Sequence, residues 1–213
     1  MVRLAALIGV VMLAGVATTG CQSQDRTCPG RDGPDLSNRN LTSADLVSRR
    51  LHCADLERST LDNQSLAQMN MSRANLHGAS LRKTQLSDVD LSEADLSDAA
   101  LGAATLDRVD LTGADLGSVS LNDEAILTDV GLRRATLRDA DLSGAFINQS
   151  DLTRADLSGA DLSGASVSNT NLRGARLEGA DLTGTIWSNS VCPDGAKSAG
   201  DPESCDHHLE PPQ

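Results

Sequence analysis

A leucine returns every fifth residue from Leu36 to Leu121, with Met71 as the one exception. After a single six-residue step the series resumes at Leu127 and holds to the end, where Ile147, Val167 and Trp187 stand in for leucine. That makes 31 consecutive units, and a fixed period kept over such a length marks a solenoid. Five residues turn an α-helix through about 500°, so helical leucines would wander around the axis without forming a stripe. On extended backbone alternate residues share a side. The leucine and the residue two before it then point inward, with the residue between them outward. The inward partner is Ala in 17 of the 31 units, small enough to sit beside leucine in a narrow interior. The two residues after each leucine, typically Ser-Gly, Thr-Gly or Ser-Arg, turn a corner.

The unit A-(D/N)-L-x-x, in register across residues 34–190, resembles the pentapeptide-repeat family. The resemblance implies an all-β, right-handed, quadrilateral β-helix with four units per coil and so about eight coils. At about 4.8 Å per stacked layer such a rod is roughly 35–40 Å long. Leu and Ala are poor strand formers, so the fold must rest on stacked backbone hydrogen bonds and a filled Leu/Ala interior.

The pattern departs from the family before residue 70, where Arg39, Arg49, Gln64 and Met69 take inward positions. An unpaired arginine is costly to bury, which predicts distorted first coils. The segment between Leu121 and Leu127 carries one extra residue. It reads as a bulge, while in the gyrase-protecting branch of the family loops that break the coil contact the target.

The chain divides into a signal segment at 1–20, a tether at 21–33, the repeat at 34–190 and a cap with tail at 191–213. Arg3 precedes an uncharged run from Leu4 to Gly20, too short for a membrane span and placed as a signal peptide. The run ends in small residues before Cys21 and resembles a bacterial lipoprotein signal, which makes Cys21 the lipidation site. Thr18 departs from the aliphatic residue usual there, so cleavage after Ala17 without a lipid stays open. The remaining cysteines cluster at the two rod ends, Cys28 and Cys53 at one and Cys192 and Cys205 at the other. Four cysteines allow three pairings; the local one, 28–53 with 192–205, is the simplest, and export makes disulfides plausible. The tail from Gly184 to Cys205 resembles a segment of exported pentapeptide-repeat proteins of high-GC Gram-positive bacteria. Trp187 is expected to cap the interior.

Function is far less legible. A net charge of −12 argues against non-specific binding to nucleic acid or an anionic membrane surface. Phe146 and Trp187 are the only aromatic residues, so the stacking platforms for single strands are missing too. No nucleophile with its base, phosphate loop or metal cluster stands out, and neither catalysis nor a cofactor is expected. His52 and His77 follow leucine centres on the outer surface. His207 and His208 lie in the tail, and Asp194, Asp201 and Glu203 match no EF-hand spacing.

Two surface features rise above the repeat. Asp88 to Glu124 holds ten acidic residues against Arg108 alone, and Asp88, Asp90, Glu93, Asp95, Asp110 and Asp115 form a candidate interaction surface. Ile126, Phe146, Ser166 and Ile186 form an outward column, which a contact or the C-terminal tail would cover. The expected protein is a lipid-anchored envelope rod on the outer membrane face, with an unidentified protein partner and an open oligomeric state. The alternative, by resemblance, is a cytoplasmic acidic DNA mimic that binds and protects DNA gyrase.

Overall fold

The computed structural model describes residues 28, 33–47, 50–198 and 204–205. The signal segment, Cys21, Arg49, Asp201, Glu203, His207 and His208 lie outside them. Seven short parallel strands stack in sequence order into one sheet. They are β1 (Ser65–Ala67), β2 (Gln85–Ser87), β3 (Thr105–Asp107), β4 (Ile126–Thr128), β5 (Phe146–Asn148), β6 (Ser166–Ser168) and β7 (Ile186–Ser188). The six steps between them are six turns of a solenoid. Each other side of the coil is a column of single parallel bridges. Asp35, Asp55, Asn75, Asp95, Asp115, Thr136, Asp156 and Arg176 form one such column of eight rungs, so two of the sides run longer than the sheet. Four columns give the expected four-sided section.

The inside-outside assignment holds. The five-residue centres from Leu36 to Leu177 and, from Ala54 on, the alanines two before them are buried almost completely and form one continuous core; Ala44, in the first coil, is exposed. From Leu51 on, each corner has a left-handed residue two places after the centre, and most of these are not glycine: Asn63, Arg73, Asp98 and Arg134 have φ of 60°, 58°, 57° and 57°. Such backbone costs an L-residue about 1 kcal/mol or more, and only stacked neighbours on both sides can hold it. At Gly164, with φ +66°, an added Cβ would meet nothing within 4 Å, so glycine is used there for its conformation.

The units on the bridged sides pair their backbone within the coil and with its neighbours. In the unit centred on Leu96, the Leu96 and Asp98 N–H groups donate to carbonyls of the next coil, at Asp115 (2.7 Å) and Gly117 (2.9 Å). Asp95 N–H donates to Ala74 of the previous coil (3.0 Å), and Ala99 N–H closes the corner onto Leu96 (3.0 Å). The fifth N–H, of Ser97, donates to the Asp95 carboxylate at 3.0 Å. A unit of this kind pairs all five of its N–H groups within a narrow coil.

The irregular places fall where the sequence predicts. The first coil puts a helical turn, α1 (Ser43–Leu46), in the column that later coils fill with strands. Gln64 explains its inward place: its Oε1 accepts from Ser43 N–H at the start of α1 (2.9 Å). Arg39 is exposed rather than buried. The extra residue is absorbed at a corner, where Asp123 and Glu124 are both left-handed, at φ 56° and 64°. The strand register then shifts from twenty residues to twenty-one for one coil, as Thr105 pairs with Ile126. Disulfides join Cys28 to Cys53 and Cys192 to Cys205. At the C-terminal end Trp187 is buried, and Val191 pairs with Lys197 in a short antiparallel turn. No helix among the described residues is long and apolar enough to cross a membrane.

Candidate functional site

The acidic surface separates into two chemical kinds. Asp90, Asp95, Asp110 and Asp115 each sit one residue before a leucine, facing outward. Their carboxylates accept from the N–H two residues on, at Ser92 (3.0 Å), Ser97 (3.0 Å), Thr112 (2.9 Å) and Gly117 (3.0 Å). Ser92 and Ser97 add their hydroxyls to the same oxygen, each at 2.6 Å. Short polar side chains bond locally to backbone in this way, so these four carboxylates build corners. The signal was readable: Asp or Asn, then leucine, then Ser, Thr or Gly at a spacing of two. Across the rungs Asp90 stands on Asp110, and Asp95 on Asp115.

Asp88 and Glu93 occupy left-handed corner positions and are ion-paired. Both Asp88 oxygens accept from Arg108, at 2.7 and 3.0 Å. Glu93 accepts from Arg73 at 2.9 Å. The Arg108 hydrogen bond holds the Asp88 carboxyl below its usual range, and in turn holds the Arg108 proton more firmly. Structure therefore brings the six predicted residues onto neighbouring sides of consecutive coils, but with their charge partly engaged.

Corner bonding carries a pH dependence. Burial works to raise the Asp141 pKa, yet the Ser143 hydroxyl and N–H and the Asn122 amide outweigh it and hold it low. At Asp156 burial is likewise outweighed by Ser158 and Arg138, and Thr183 lowers Asp181. A carboxyl whose folded pKa is depressed adds stability that is complete above its ordinary value, 3.8 for these groups. That contribution is lost as pH falls through the folded values. Thermal melts are therefore expected to be level above about pH 5 and to decline progressively below about pH 4. Asp156→Asn should flatten the decline; an equally steep one would show that corner carboxylates are not its source.

The two described histidines sit in hydrogen bonds that work against nucleophilic use of the neighbouring serines. His77 Nδ1 lies 2.9 Å from Ser97 Oγ, and His52 Nδ1 lies 2.8 Å from Ser72 Oγ. A serine nucleophile must give its proton to the histidine. Ser97 instead donates to the Asp95 carboxylate and Ser72 to Asn70 Oδ1, each at 2.6 Å, so the imidazole is left to donate to the hydroxyl. Ligand atoms of Cys28, His52 and Cys53 lie within 4.8 Å of one another. With the two sulfurs bonded together, neither is a thiolate that could ligate a metal. Near them Leu46, Val47, Leu51, His52 and Met69 line an open groove of about 570 Å³.

The outward column is present as expected. Ile126, Phe146, Ser166 and Ile186 align in register across β4 to β7, and all three apolar members are exposed. The tail beyond Cys205 lies outside the described residues.

Comparison with known proteins concerns the repeat. The family model described as pentapeptide repeats matches in eight copies, over residues 50–85, 84–123, 124–154 and 150–186. No curated protein matches the chain. Among solved structures it is similar to HetL, a pentapeptide repeat protein involved in heterocyst differentiation regulation from the cyanobacterium Nostoc. The identity is 28%, over 76% of this chain and 89% of that one, with a TM-score of 0.39. It is also similar to QnrB1, a plasmid-mediated fluoroquinolone resistance protein, at 18% identity over 69% of this chain and 86% of that one, TM-score 0.39. Rfr23 from the cyanobacterium Cyanothece is 23% identical over 62% of this chain and 90% of its own, with a TM-score of 0.25.

Proposed function

The chain belongs to the pentapeptide-repeat family, and from that premise we propose that it is a non-enzymatic, lipid-anchored envelope protein whose rod serves as a rigid interaction or spacer module. The observation that carries this reading is the pair of disulfides, one at each end of the rod. Such cross-links persist in oxidising compartments and are rare in the cytosol. The uncharged run before Cys21 supports the same address. A continuous Leu/Ala core with coils hydrogen-bonded to one another along the rod gives a body with little freedom to bend, which suits a spacer. The recurring carboxylates and serines are occupied by the fold, and the two Ser–His contacts are oriented against nucleophilic attack.

The gyrase-protecting reading draws on the acidic rows, which stack carboxylates along three sides of the rod, as at Asp95–Asp115, Asp90–Asp110 and Asp141–Asp161–Asp181. It requires the cytoplasm, where the disulfides would be reduced.

Intact mass of the protein from its own host separates the two. The expected mass begins at Cys21, carries a diacylglyceryl group and rises by four hydrogens on reduction. A full-length, unlipidated, already reduced chain would overturn the envelope reading and leave DNA mimicry in its place.

A further inference from the structure

One side of the rod carries no charge over its C-terminal half. Around the strands β5, β6 and β7, residues 143–150, 163–170 and 183–190 contain no Asp, Glu, Lys, Arg or His. The charged residues of these coils, such as Asp151, Arg154, Asp156, Asp161, Arg173 and Glu178, belong to the other three sides. In the middle of this uncharged side runs the outward column. Ile126 is 41% exposed, Phe146 47% and Ile186 64%, with Ser166 between the last two in strict register. Outward side chains of successive rungs stand about 4.8 Å apart, so the column is a raised apolar ridge with one notch at Ser166. Neighbouring polar groups bond to each other: Asn189 donates to Asn169 (2.8 Å), and Asn169 and Ser168 donate to Asn148 (3.1 and 3.0 Å). They need little from a partner.

We propose that this side is the interface of an isologous homodimer in which two rods lie antiparallel, face to face, about a two-fold axis that runs along the strands between β5 and β6. Two observations select a second copy as the occupant. The first is charge. A chain of net charge −12 repels its own copy on most approaches, and the described surface offers a four-rung stretch where that repulsion is least. The second is shape. An isologous contact requires a surface that complements itself, so that if one residue meets another, the second meets the first. Read in reverse, the column Ile–Phe–Ser–Ile becomes Ile–Ser–Phe–Ile. Antiparallel docking therefore puts Phe146 of each copy into the notch at Ser166 of the other, and Ile126 against Ile186. The acidic corners beside β4, at Asp123, Glu124 and Asp129, then face Thr183, Gly184, Ser188 and Asn189, none of which is charged. The parallel alternative, with its axis along the rod, opposes Phe146 to Phe146 and Asp129 to Asp123 and Glu124. Four rungs span only some 14 Å, so the contact falls below the roughly 800 Å² per partner of a standard interface. A dissociation constant in the micromolar range is expected.

Sedimentation of the processed, oxidised protein from about 1 μM to 1 mM tests this. A concentration-dependent monomer–dimer equilibrium is expected, strengthened by added salt because screening relieves the repulsion between copies. Phe146→Ser should weaken dimerisation at least tenfold, as should Ser166→Phe, which closes the notch. The double variant Phe146→Ser with Ser166→Phe should restore it, because the same pair is rebuilt with its members exchanged. Phe146 is exposed and Ser166 half-buried on the outward face of the sheet, and a melting temperature within a few degrees of wild type would confirm that the variants fold. A monomer throughout, a dimer that salt dissociates, or a double variant no better than the singles would overturn the proposal.

Discussion

Truncation of Leu116 to alanine is expected to lower the unfolding free energy by about 3 kcal/mol, the usual scale for a large-to-small change that leaves a core cavity. Leu116 is wholly buried, and its unit is bridged to those of Leu96 below and Leu137 above through Asp95, Asp115 and Thr136. The leucines on this side form a stack in which each is packed by the one before and the one after. In a globular core neighbouring elements can shift to fill part of a void. Here both flanking coils are held at fixed spacing by Leu116 N–H to Thr136 (2.7 Å) and Asp115 N–H to Ala94 (2.9 Å), so the cavity has little means of collapse. Asp115→Ala, in the same unit, removes one acceptor at a solvent-facing corner and should cost about 1 kcal/mol. Ser118→Ala keeps a left-handed corner, φ 53°, and should change stability by less than about 0.5 kcal/mol. Urea unfolding of the three variants checks the order. If Leu116→Ala cost no more than Asp115→Ala, the rod would owe its stability to corners rather than to its filled interior.

The contrast follows the line between what the sequence shows and what it conceals. The inward positions were legible because burial is a strict period-five demand: a charge two before a leucine, as at Arg39, stands out as a break in the repeat itself. The resumption of register after Leu121 was legible for the same reason. Gln64 was not, because its partner is a backbone N–H at Ser43, a contact that exists only once the first coil has closed over the second. Nor was it evident which side of the coil would form strands. The clue was present: the residue before the centre is Ser65, Gln85, Thr105, Ile126, Phe146, Ser166 and Ile186 on that side, never Asp or Asn, and it recurs every four units. That residue marks the column as a whole rather than deciding each corner, since Thr60, Ser80, Ala100, Gly131 and Thr136 also lack a carboxylate or amide and remain single bridges. The same substitution leaves that side uncharged, so the signal that marks the sheet also marks the proposed contact. Acidic residues misled for the converse reason. Composition shows ten of them in one stretch but cannot show that four are engaged with their own corners and three, Asp88, Glu93 and Asp107, with Arg73 and Arg108.

Loss of the C-terminal disulfide, by Cys192→Ser together with Cys205→Ser, is expected to cost about 3 kcal/mol, from the loop-closure entropy of a 13-residue separation. For a domain of this size that is a fall of roughly 6–12 °C in melting temperature. How the loss is distributed matters more than its size. In a solenoid each coil touches only its neighbours, so stability is a sum along the rod and a weakened end can open without the middle. The last coil has no coil above it. It is closed by the turn in which Cys192 N–H donates to Ala196 (2.7 Å) and Ser198 N–H to Ser190 (2.7 Å), with both half-cystines fully buried. Beneath them Trp187, 3% exposed, covers the leucine stack. Without the cross-link the turn is held by a few hydrogen bonds, and Trp187 becomes the end of an open core. Hydrogen exchange should then rise first in residues 185–198 and decline coil by coil towards β4, while β1 to β3 keep their protection. Cys28→Ser with Cys53→Ser, closing 25 residues, should give the mirror image from the other end at a similar cost of about 3.5 kcal/mol. A uniform loss of protection from β1 to β7 would mean that the rod unfolds as one cooperative body, and that its ends are not where it begins to open.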